Sequence, residues 1–200
     1  MDIDKHFALS HYYDRHFETQ AVKVLPGEYY ATQGEEMVVT VLGSCVAVCL
    51  RDRSSGIGGL NHFLLPEDRS ADASPLTESA RYGVYAMELL VNHLLKLGAQ
   101  RKRLEAKVFG GGRVIKDFSF ANVGERNVRF VMQHLRDEGI PVAAHDVLNT
   151  YPRKVHFFPR TGRVMLKKIN SLHNNTLIER ESRYLKQVEY KPEVGEVDLF

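Results

Sequence analysis

Residues 40–66 read TVLGSCVAVCLRDRSSGIGGLNHFLLP and hold both cysteines of the chain and one of its nine histidines. Two apolar runs, 46–51 and 58–64, flank the polar segment RDRSSG, the composition of a hairpin loop between two strands. With the turn centred between Arg53 and Ser54, position 45 is expected directly opposite position 62. Opposed residues have Cβ atoms about 5 Å apart, so the register would bring Cys45 and His62 together. A slip of one residue would separate them.

Working outward, AVKVLPGEYYAT (21–32) alternates and is broken by Pro26-Gly27, and EMVVTVL (36–42) is a short β-branched run; both read as strand. Downstream, Ser74 is an N-cap candidate with Pro75 at the first helical position. Val84, Met87, Leu90, Val91, Leu94 and Leu95 keep the helical period up to Gly98. EAKVFGGG (105–112) reads as a strand entering a glycine loop. A second helix is predicted to start near Asn122, with Glu125 in capping-box position, a stripe of Val128, Val131, Met132 and Leu135, and a stop at Gly139 and Pro141. IPVAAHDV, KVHFFP and RVMLKKI (140–147, 154–159 and 163–169) read as three closing strands joined by tight turns.

Strands with two main helices inserted and no strict βαβ alternation predict an α+β fold or layered α/β sandwich, with a mixed, mostly antiparallel sheet and a single domain. The domain is expected over 22–170. Residues 1–21 read as an N-terminal extension, ordered only if it docks, and 171–200 as a charged, poorly periodic C-terminal tail.

The 200 residues suffice for one ordinary core. With 44% hydrophobic and 26% charged residues, the composition is that of a soluble globular protein. No apolar run approaches the roughly 18 residues of a membrane span. The first residues, MDIDKHF, carry no basic region followed by an apolar stretch, so a cytoplasmic protein without membrane insertion is expected. Two cysteines make no disulfide framework, and CxxxC with scattered histidines supplies no zinc spacing. The net charge of +2 and a moderate basic cluster at 153–168 argue against nucleic-acid binding.

A free thiol ionises near about pH 8.5, and a neighbouring imidazole can take its proton to leave a nucleophilic thiolate. Gly43-Ser44 before Cys45 permits a tight turn whose backbone N–H groups could face an oxyanion. Thr40 is the nearest hydroxyl able to orient the His62 ring. The plainer reading stands beside this one: cysteine in a β-branched run is usually core, and Cys49, on the same strand parity, reads as packing.

Five stretches in order, TVLGSCVAVCLRD, GGLNHFLLP, KVFGGG, GERNVRFVMQHLRDEGIPV and YPRKVHFFPRTGRV, resemble the CheD family of chemoreceptor glutamine deamidases over roughly residues 22–170. The resemblance implies hydrolysis of glutamine side-chain amides in the cytoplasmic helices of methyl-accepting chemotaxis receptors. It implies Cys45 as nucleophile, His62 as base and Thr40 as orienting residue, with no cofactor or metal. Minor methylesterase activity on methyl-glutamate is compatible with that chemistry. Family members also bind a CheC-type phosphatase, so the alternative function is a non-catalytic adaptor.

Among the remaining features, Gly110–Gly112 lack the Lys-Ser/Thr of a P-loop and read as a tight loop beside the site or a surface that a substrate helix approaches. Asn61 reads either as site support, with Ser44 and Gly43, or as a strand-end cap. Arg153 and Lys154 read as a solvated charged face or as a contact for acidic receptor helices. His145 and His156 read as surface or half-buried strand residues, with nothing in the sequence tying them to Cys45.

Overall fold

The structure, a computed structural model, describes residues 6–65, 78–114 and 123–169 together with 179, 183 and 184. In chain order the strands are β1 (Ser10–Asp14), β2 (Thr19–Lys23), β3 (Tyr29–Thr32), β4 (Met37–Leu42), β5 (Val46–Asp52) and β6 (Gly58–Phe63). Helix α1 (Glu78–Lys96), β7 (Leu104–Gly110), α2 (Val123–Asp137), β8 (Val142–Val147), β9 (Arg153–Phe158) and β10 (Arg163–Lys168) follow. The expected caps at Ser74 and Asn122 and most of the C-terminal tail lie outside the described residues.

The expected layered, mostly antiparallel architecture consists of two sheets of five strands each. One has the order β1-β2-β4-β9-β10 and the other β3-β6-β5-β7-β8. Pairing is mostly antiparallel, with parallel contacts between β2 and β4 and between β7 and β8. The successive strands β8 and β9 belong to different sheets, so the chain crosses between layers at 148–152 instead of making a hairpin.

Strand alternation builds the layers. On β5, Val46, Val48 and Leu50 join a core with Phe63, Met87, Leu90, Leu94, Val131 and Leu135, beneath the two helices. Cys45, Ala47 and Cys49 face the other way, into a second core with Val38, Leu42, Val155 and Phe157 of the first sheet. The order is thus sheet, sheet, helices, and β5 is buried on both faces. Within the helical stripes, Met87, Leu90, Val91 and Leu94 are buried as expected, whereas Val84 is exposed.

The described part of the N-terminal extension, from residue 6, docks. Ala8 N donates to Tyr29 O and Tyr29 N to His6 O, after which β1 pairs with β2. Phe7 packs on Tyr29 and Tyr30, and β2 begins at Thr19, ahead of the expected boundary.

The β5–β6 hairpin differs from the expected register by two residues. His62 pairs with Ala47, and the turn centre moves to between Ser54 and Ser55. Asp52 is the cause. Its carboxylate accepts hydrogen bonds from Ser54 N and Ser55 N (2.8 and 3.2 Å), and Asp52 N closes the ladder onto Ile57 O (2.8 Å). Gly56, at φ 74°, lets the chain return. The same buried carboxylate accepts Gln100 N (2.9 Å) and the Arg103 guanidinium (2.8–3.0 Å).

These donors, Arg103 first, hold the Asp52 carboxyl below the ordinary carboxylate range against the opposing effect of its burial. A depressed folded value stabilises the fold above the unfolded value and is lost as pH falls through the folded one. Asp52→Asn should therefore lower stability by about 1–3 kcal/mol near neutral pH. Urea unfolding should show the gap to the native protein narrowing below about pH 4. An equal gap at about pH 7 and about pH 3 would refute an ionised Asp52 as the cause.

Candidate active site

Backbone parity decides which side chains meet. On β6, Leu60, His62 and Leu64 face the first sheet, while Asn61, Phe63 and Leu65 face the helices. On β4, Val38 and Leu42 enter the core between the sheets, so Thr40, sharing their parity, points across the gap towards β6. Val24 extends β2 beside β4, its N–H donating to Val39 O at 2.9 Å, which brings its carbonyl level with Thr40.

A hydrogen-bond relay results. Thr40 Oγ1 lies 2.8 Å from Val24 O and 2.8 Å from His62 Nδ1. A carbonyl only accepts, so the single hydroxyl proton of Thr40 goes to Val24, and Thr40 must accept from Nδ1–H of His62. The ring is thereby fixed with its proton on Nδ1, which leaves Nε2 as the basic nitrogen. The backbone of His62 is pinned as well, since Gly27 N donates to His62 O (2.7 Å) and His62 N to Glu28 O (3.0 Å).

Cys45 stands just before β5 on the face that bears Ala47 and Cys49. The observed register makes it the diagonal neighbour of His62, one pleat from the directly opposed position. Such neighbours lie about 7–8 Å apart, within reach of an aromatic-sized side chain. Cys45, His62 and Thr40 are 0%, 2% and 1% exposed, so the three share a dry environment between the sheets. Cys49 belongs to the same core, and burial pushes its thiol far above the ordinary range, leaving it protonated.

The carbonyls around the cysteine are all held. Gly112 N donates to Gly43 O and Gly111 N to Cys45 O, both at 2.7 Å, and Asn127 Nδ2 donates to Ser44 O at 3.0 Å. The glycine loop therefore lies beside the site, one of the two places expected for it. A Cβ on Gly110, which sits at φ 108°, would lie 2.2 Å from Cys45 O, so only glycine lets the two backbones approach. Ser44 is buried.

Other expected site residues fall elsewhere. Asn61 points away from His62, as adjacent strand residues must. Its amide donates to Ala86 O and its oxygen accepts from Val48 N, so it ties β6 to α1 and β5. It is neither a site group nor a strand cap. Arg153 is no solvated face: it is fully buried, bound to Asp146 and to Leu148 O. His156 lies on the outer face of the first sheet against Phe17, and His145 is exposed on β8. Among the described residues, Glu88, His134 and Glu138 bring ligand-type atoms together between the helices. Arg101 pairs with both of those carboxylates, so the group is part of an ion-pair network.

Two participants escaped the sequence reading. The Val24 carbonyl is a backbone group and leaves no residue signature. Asn127 did leave one: it falls on the apolar stripe of α2, where a polar side chain must find buried partners.

A thiol, an imidazole held in one tautomer and the hydroxyl that holds it define a candidate cysteine-dependent acyl-transfer centre on a layered α/β scaffold. A family model described as CheD, chemotactic sensory transduction, matches residues 64–168. A probable chemoreceptor glutamine deamidase CheD of Methylobacillus flagellatus is 56% identical over 99% of this chain and 98% of its own. A probable chemoreceptor glutamine deamidase CheD 1 of Shewanella oneidensis is 59% identical over 94% of this chain and 92% of its own. The chain belongs to the CheD family. The alignment with the first of these relatives includes almost all of the N-terminal extension and the C-terminal tail.

Thr40→Val removes the acceptor for Nδ1–H and strands the Val24 carbonyl. Stability should fall by about 1–3 kcal/mol. Nitrogen-15 NMR of His62 should show the Nδ1–H tautomer in the native protein and loss of that preference in the variant. An Nε2–H tautomer in the native protein would overturn the relay.

Proposed function

We propose that this chain is a cytoplasmic protein-glutamine deamidase acting on chemoreceptors, with Cys45 as nucleophile, His62 as acid and base, and Thr40 as the group that orients His62. The Val24–Thr40–His62 relay carries this reading, because it leaves the basic nitrogen of a buried imidazole on the side of the ring away from Thr40. The names of the relatives supply the substrate class. No helix among the described residues is long and apolar enough to cross a membrane.

The chemistry balances without a cofactor. Nε2 of His62 takes the Cys45 proton, and the thiolate attacks Cδ of a receptor glutamine. The oxyanion is assigned to backbone N–H groups of the Gly43–Cys45 segment, whose orientation is fixed by its three bound carbonyls. The Nε2 proton then passes to the departing nitrogen, the C–N bond breaks, and ammonia leaves a γ-glutamyl thioester. Water loses a proton to Nε2 and attacks the thioester; glutamate departs and the proton returns to sulfur. The low-dielectric gap between the sheets strengthens each charge transfer and excludes competing water.

Binding to a CheC-type phosphatase is compatible with this role. A purely adaptor function would require none of the relay, which favours the enzyme.

Ammonia release from a purified receptor cytoplasmic fragment should fall by at least about 10³-fold in Cys45→Ala. Mass spectrometry should place new glutamates at defined receptor positions with native protein alone. Equal release by native protein and variant, or none by native protein on its cognate receptor, would overturn the reading.

A further inference from the structure

We propose that Asn127 is a positioning residue that locks the nucleophile segment to the histidine strand, a role that rests on the deamidase reading above. The regular β5–β6 ladder ends at the pair Val46–Phe63. Cys45 and the residues after Phe63 therefore lie beyond the last rung, where strands ordinarily splay. Asn127, on α2 and 0% exposed, spans that gap. Its Nδ2 donates to Ser44 O and its Oδ1 accepts from Leu65 N, both at 3.0 Å. Ser44 precedes the nucleophile by one residue, and Leu65 follows the base by three.

A side-chain amide carries a donor and an acceptor in one rigid plane, as a peptide unit does. Asn127 thus stands in for the missing rung. Neither a carboxylate, which cannot donate, nor an apolar side chain of equal size can do so. The neighbouring Arg126 adds a grip on the same residue, with Nη2 donating to Leu65 O at 3.1 Å.

The depth at which α2 seats is set one turn earlier. Gly124 lies against the glycine loop so closely that an added Cβ would sit 2.4 Å from Gly111 O. Gly111 N in turn donates to Cys45 O. One helix face therefore supports the cysteine backbone twice, directly at Ser44 and through Gly111 at Cys45. Displacing that backbone changes the distance from Sγ to His62 without touching either side chain, and misplacements of about 1 Å cost catalytic sites on the order of 10²-fold.

The test uses the full chain with Asn127→Leu, similar in size and unable to hydrogen-bond, and Asn127→Ser, smaller and able to hold a bridging water. Both are neutral, so neither adds a charge beside the thiol. Thermal unfolding identifies which variants fold, and the serine variant keeps the test available if the leucine variant does not. The pH dependence of Cys45 alkylation by iodoacetamide is then followed by peptide mass spectrometry, alongside kcat and KM on a receptor fragment. The expected result is a profile displaced to higher pH in both variants, more so in the leucine one. With it, kcat should fall by about 10²-fold in the leucine variant with KM within about twofold of native. A folded variant with the native profile and native kcat would overturn the proposal. A native protein that alkylates like a free thiol, with a midpoint near about pH 8.5, would instead remove the nucleophile reading and this role with it.

Discussion

The relay from the Val24 carbonyl through the Thr40 hydroxyl to Nδ1 of His62 is the interaction on which the rest of the site depends. A hydroxyl and an imidazole have been taken out of water into the gap between two sheets. Left unpaired, each would cost about 1–3 kcal/mol. Both bonds in the relay are 2.8 Å long and each has only one workable polarity. The pairing that makes burial tolerable is therefore the same pairing that selects the tautomer. Structure and chemistry have one cause here.

Everything else follows from keeping those groups in register. Period-2 alternation sends one face of β5 and β6 to the helices and the other to the first sheet, so Cys45 and His62 share a layer with Thr40. Asn61, next to His62 in sequence, is carried to the opposite layer, where it ties the strand to α1. Because β5 is buried on both faces, its apolar run looks like ordinary core from either side. That explains how the proposed nucleophile and the inert Cys49 can sit four residues apart in the same strand environment. What separates them is position relative to the ladder: Cys49 is paired on both sides, whereas Cys45 lies just outside, where the glycine loop and α2 take over its support.

Much of this was legible in the residues, and the failures have physical reasons. The hairpin, both helices, the glycine loop and the grouping of Thr40, Cys45 and His62 followed from patterning and from motif resemblance. The register was off by two because side-chain capping by Asp52, rather than loop composition, sets where the turn closes. The error did little harm, since a shift of two preserves the face; a shift of one would have sent His62 to the helices. Division into two sheets was invisible because local patterning says nothing about which sheet a strand joins. Arg153 read as surface because an arginine beside a lysine usually is, and its partner Asp146 lies on a strand of the other sheet. Strand parity alone sends the Asn61 side chain to the helix face, opposite to that of His62.

The most direct test of the central claim is a search for the acyl-enzyme itself. Native protein mixed with a receptor cytoplasmic fragment should be acid-quenched on a subsecond timescale and analysed by intact and peptide mass spectrometry. The expected product is a covalent complex lighter than the sum of its parts by the mass of ammonia, with the linkage at Cys45 and at a receptor glutamine. Deamidation that proceeds normally with no adduct, or with an adduct at any other residue, would contradict it.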